Sequence, residues 1–96
     1  MNLDSFKASL DSVKPPADIG DVLLALWHEG KGDWEASHGI VQAANTPDYC
    51  LIHAYLHRKE GDNWNANYWY TRAGQSMPKV SLEQEWENLV RQFLKG

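Results

Sequence analysis

Ninety-six residues, 43% of them hydrophobic and 23% charged, suit a single globular domain with a modest core and leave no room for a second. Thirteen acidic against nine basic side chains give a net charge of −4, which argues against nucleic acid, because phosphate binding needs a basic stripe. No apolar run reaches the roughly 18 residues of a membrane span, and the opening MNLDSFKASLDSVK has neither the basic start nor the apolar middle of a signal peptide. The single cysteine, Cys50, excludes an internal disulfide, so a reducing cytoplasm is the expected location.

Hydrophobic periodicity is helical along the chain, and clean two-residue alternation between hairpin dipeptides is missing. LDSFKASLDSV places Leu3, Phe6, Leu10 and Val13 on one stripe and is stopped by Pro15-Pro16. ADIGDVLLALWHEG sets Ile19, Val22, Leu23, Leu26 and Trp27 at helical spacing and ends at Gly30 or Gly32. DWEASHGIVQAA follows, and NTPD turns at Pro47. YCLIHAYLHRKE then runs to Gly61 and NWNANYWYTRAG to Gly74, before Pro78 breaks the chain again. SLEQEWENLVRQFLK opens with Ser81 and Gln84 at the spacing of a capping box and carries Trp86, Leu89, Val90, Phe93 and Leu94 on one stripe. The expected fold is all-α, with five to six helices in one domain over 1–96. Two helical hairpins, units of about 18–46 and 47–78, stand between a short N-terminal helix and a capping helix at 81–95.

The hairpins match each other. ALWHEGKGD (Ala25–Asp33) laid over AYLHRKEGD (Ala54–Asp62) aligns alanine, histidine, glycine and aspartate at a shift of 29, and the same shift pairs Ser37 with Ala66, Val41 with Tyr70 and Ala44 with Ala73. A repeat of this length signals stacked supersecondary units. Ala66-x₃-Tyr70, Ala73 and Pro78 resemble the second half of a tetratricopeptide repeat, with Gly61-Asp62 at the inter-helix turn and Ala54 at the small position of the first helix. The unit is shorter than that family's, and Cys50, His53 and His57 stand where it has its large residues. LWHEGKGDWEASH with HAYLHRKEGDNWNANYWYTRAG is also similar to a group of small bacterial proteins of unassigned function, which implies the same helical fold and a bacterial origin.

Two sets of candidate residues emerge. Repeat arrays of this family line their concave face with the first helix of each hairpin, which by resemblance gives Leu26 and Glu29 from one unit and Tyr55, Arg58 and Lys59 from the next. With Tyr68, Trp69 and Arg72 these residues make an aromatic and cationic surface on an acidic chain, and Tyr, Trp and Arg are the residues that dominate interface energetics. The function expected first is therefore an interaction or adaptor module, its partner a protein, a peptide or a second copy of the chain.

The alternative polar site, for a small ligand, a metal or proton transfer, comprises His28, His53 and His57 with Asp33 and Asp62. Both aspartates also suit helix N-caps. Cys50, His53 and His57 share a helical face and are zinc-ligand types. No second Cys-His group lies near in sequence, so packing between helices is the expected role, with no metal and no cofactor. The chain lacks GxSxG, a phosphate loop and HExxH, and no catalytic residue is assigned.

Overall fold

The computed structural model describes residues 1–95 and, within them, six α-helices and no strand. They are α1 (Leu3–Ser9), α2 (Gly20–Gly30), α3 (Trp34–Val41), α4 (Pro47–Lys59), α5 (Asn63–Arg72) and α6 (Leu82–Lys95). No helix among these residues is long and apolar enough to cross a membrane.

The repeated Gly-Asp is a stop and a start in two residues. Gly32 and Gly61 lie at φ +84° and +85°, a left-handed conformation that costs a glycine little. Each closes a Schellman motif: Asp33 N–H returns to the His28 carbonyl, and Asp62 N–H to the His57 carbonyl, both at 2.9 Å. The same two aspartates then cap the next helix, accepting from Ala36 N–H (3.1 Å) and Asn65 N–H (3.3 Å). Two hairpins, α2–α3 and α4–α5, follow directly from this device.

Helix α4 is the hub. It packs against α2, α3, α5 and α6, and its residues 50 to 56 are buried without interruption. A helix with apolar residues all round must be enclosed. Ala54, Ala66 and Ser37, all fully buried, keep the helices close, and Tyr70 fills the space beside them. Across α2 and α4 lies α6, whose buried Trp86, Leu89 and Val90 form the expected stripe. Trp86 Nε1 also donates to the Leu26 carbonyl at 3.0 Å, so its polar atom is satisfied inside the core.

Two expectations are corrected. The first helix ends at Ser9 and Val13 is exposed, because Lys31 Nζ takes the carbonyls of Leu10 (2.7 Å) and Ser12 (3.0 Å). Nor do Tyr55, Arg58 and Lys59 form an open concave face. Tyr55 is only 3% exposed, Arg58 pairs with Glu85 of α6 at 2.7 Å, and Lys59, which stays exposed, pairs with Glu29 of α2.

Candidate functional site

On the side of α4 where α3 and α5 pack, three imidazoles converge. His53 and His57, four residues apart on α4, stack with ring centroids 4.9 Å apart. His38 comes from α3 and meets His53 edge-on, the two Nε2 atoms 3.0 Å apart. One ring nitrogen from each of the three histidines lies within 4.8 Å of the other two.

Aromatic rings wall the group on both sides. Trp34 stacks on His38 (4.7 Å, 9° between planes), and its Nε1 donates to the Leu56 carbonyl at 3.0 Å, which locks the indole to α4. Trp69 of α5 stacks on His53 at 4.1 Å and 13°. Beyond it the Arg72 guanidinium lies over Trp69 and Tyr68, 5.5 and 5.6 Å from the ring centres. His53 is 6% exposed, whereas His38 and His57 are half-buried.

Electrostatics keep His53 neutral. Burial first, then the neighbouring His38 and His57, hold its pKa down at about 4. Burial and His57 also lower that of His38, with Glu60 opposing them. Glu60 Oε1 sits 2.6 Å from His57 Nδ1, which leaves Nε2 as the uncommitted nitrogen of that ring. Asp62 is near, but its oxygens serve Asn65 N–H and Asn65 Nδ2, and those bonds hold its carboxyl below the usual range.

Of the residues expected from sequence, His53 and His57 are thus brought together and His28 is not. His28 lies against its neighbour Trp27 (5.4 Å between centroids), outside the three-histidine group. Cys50 shares the α4 face but spends its thiol on the Asn45 carbonyl at 3.5 Å. Sequence reading missed His38. Its signal was local: His38 follows Trp34 by four residues, which places indole and imidazole on one face of α3.

The surface candidates divide. Trp69 belongs to the histidine group, while Tyr68 and Arg72 continue outward along α5 with Trp64, at successive spacings of four. Trp64 is 76% exposed and lies nearly parallel to Tyr68, 6.3 Å away. No protein family, no curated protein and no solved structure is significantly similar to this chain.

Proposed function

We propose that the chain is a small metal-binding protein in which His38, His53 and His57 hold one divalent transition-metal ion. The convergence of three imidazole nitrogens from two helices carries this reading. A hydrogen bond between His38 and His53 accounts for two rings but not for the third. Tetrahedral ligands at the usual zinc–nitrogen length stand about 3.3 Å apart, close to the 3.0 Å between the two Nε2 atoms. Neutral imidazole is the form that binds metal, and a set of three favours zinc, copper, nickel or iron over magnesium or calcium. Glu60 on His57 Nδ1 is the kind of carboxylate partner that orients a metal-binding histidine. Three protein ligands leave a fourth position for water or a substrate, the arrangement of catalytic rather than closed structural zinc sites.

Metal-stripped protein titrated with Zn²⁺ or Co²⁺ is expected to bind one ion per chain by calorimetry. His38→Ala, His53→Ala and His57→Ala should each weaken binding by more than the roughly 10–100-fold typical of losing an outer-sphere partner, which is the loss expected for Glu60→Gln. His28→Ala should bind as the parent does. Absence of a stoichiometric ion, or equal losses in His28→Ala and His38→Ala, would sink the assignment.

A second reading, an interaction surface for a protein or peptide, is favoured by the exposed row Trp64, Tyr68 and Arg72 on α5. Trp64→Ala and Tyr68→Ala are expected to reduce self-association or partner capture while moving stability by no more than about 0.5 kcal/mol, as surface substitutions do. Unchanged sedimentation and unchanged recovery in both variants would count against it.

A further inference from the structure

We propose that the cleft between α1, α2, α4 and α6 binds a small organic ammonium ion with an apolar body. The cleft measures about 460 Å³, within the range of small-molecule sites, and Leu10, Leu82 and Trp86 supply its apolar walls. Glu29, in the last turn of α2, lines it with a side chain only 1% exposed. Lys59 occupies its Oε1, but Oε2 is buried with no hydrogen-bond partner.

Among the described residues one other buried side-chain atom, Ser37 Oγ, also lacks a partner, but Glu29 Oε2 is the one on a carboxylate. Glu85, equally buried, has both oxygens taken, by Arg58 and Tyr70. An unmet carboxylate lone pair inside a protein is costly, and a donor entering from the cleft relieves it.

The sign of the ligand follows from the charges around the cleft. Lys7 and Lys59 face Glu29, Glu83 and Glu87, and both lysines are already engaged, Lys7 with Glu87 at 2.9 Å and Lys59 with Glu29. Three carboxylates against two lysines leave the lining net negative, and one oxygen of Glu29 is unpaired, so a cation is favoured over an anion. Residues of the last turns of α2 and α4 bring the negative ends of two helix dipoles to the cleft, and the first turn of α6, Leu82 and Glu83, brings one positive end that Glu83 itself offsets. The hydroxyl of Tyr55, kept protonated by burial with Glu29 and Glu85 nearby, adds a polar group to the lining. The ligand class is thus a primary amine on an aromatic or aliphatic stem, its ammonium on Glu29 Oε2 and its stem against Trp86.

The test titrates the folded chain with phenethylamine, 2-phenylethanol and 3-phenylpropionate, followed by amide chemical shifts. Phenethylamine is expected to bind at least about tenfold more tightly than the alcohol, as a charge-assisted bond to a buried carboxylate implies, and to move the resonances of Gly30 and Leu82 but not those of His38 and His53. Glu29→Gln, which keeps the shape and removes the charge, should abolish that preference. His38→Ala should leave it intact, so failure of the metal site does not decide this one. Equal affinity for amine and alcohol, preference for the carboxylate, or no binding at all would overturn the proposal and leave Oε2 to ordered water. The comparison among the three probes on the parent chain decides the matter even if Glu29→Gln does not fold.

Discussion

Glu85→Ala is expected to destabilise the fold by about 3–5 kcal/mol, the largest effect of any polar substitution in this chain. Glu85 is 3% exposed and sits on α6, yet its oxygens bond Arg58 of α4 at 2.7 Å and the Tyr70 hydroxyl of α5. Arg58 also donates to the Val80 carbonyl, in the segment leading into α6. One carboxylate therefore ties three helices together, and burial together with Glu85 keeps the Tyr70 hydroxyl protonated. Alanine leaves the buried phenol without its acceptor and a half-buried guanidinium without its charge partner, with only the Val80 carbonyl left to it. For a chain of this size the melting temperature should fall by roughly 15–30 °C. Arg58→Ala should cost a similar amount by orphaning Glu85. The double variant should cost clearly less than the sum, because the second substitution removes the charge that the first left unpaired. Chemical denaturation of the four proteins checks this. A loss below about 1 kcal/mol for Glu85→Ala would place the carboxylate in solvent instead.

The same network explains which parts of the molecule were legible in the sequence. Local chemistry read well. Gly61-Asp62 over Gly32-Asp33 showed the turn and the cap, and both depend on two adjacent residues and their own backbone. Ala66 and Tyr70 read correctly as the inside of the second hairpin for the same reason. What failed depended on where α6 goes. Tyr55 and Arg58 look like a free face until a helix some thirty residues later packs on them, and no spacing within α4 announces Glu85 or Trp86.

The histidine site divided along the same line. His53 and His57 were visible as a pair four apart on one helix, but the repeat suggested His28 as their companion. Helix α2 packs directly against α4 as well, but His28 lies against its own neighbour Trp27. The histidine that reaches those of α4 is on α3, at the non-equivalent position His38. Repeat symmetry misled because the site is built across the seam, not along it.

Acidification supplies the second large expected effect, and it acts on the metal-free protein. His53 titrates near 6.5 when unfolded but is held at about 4 in the fold, where it faces His38 from α3, His57 from α4, with Glu60 behind it, and Trp69 of α5 carrying Arg72 on its far side. A lowered imidazole pKa means that the unfolded chain binds more protons than the folded one between these two values. The contribution is fully present above pH 6.5 and is lost as the pH falls through that window, levelling off near 4. At about 1.4 kcal/mol per pKa unit, His53 accounts for roughly 3–4 kcal/mol over the interval from 6.5 to about 4. His38, lowered for the same reason, acts in the same direction. Depressed carboxyls such as Glu87 and Asp62 withdraw their support at lower pH still, so the interval above pH 5 belongs mainly to the imidazoles. His53→Phe keeps a flat ring against Trp69 and removes the titration. Its stability should fall from pH 7 to 5 only by the His38 contribution, whereas the parent loses about 2 kcal/mol more, a little over half of the His53 term. Added Zn²⁺ should steepen the parent's dependence, because metal and protons compete for the same nitrogen lone pairs, and should leave the variant unchanged. If the parent unfolds at the same denaturant concentration at pH 7 and pH 5, His53 is not enclosed as a neutral ring between His38 and Trp69, and the metal assignment loses its foundation.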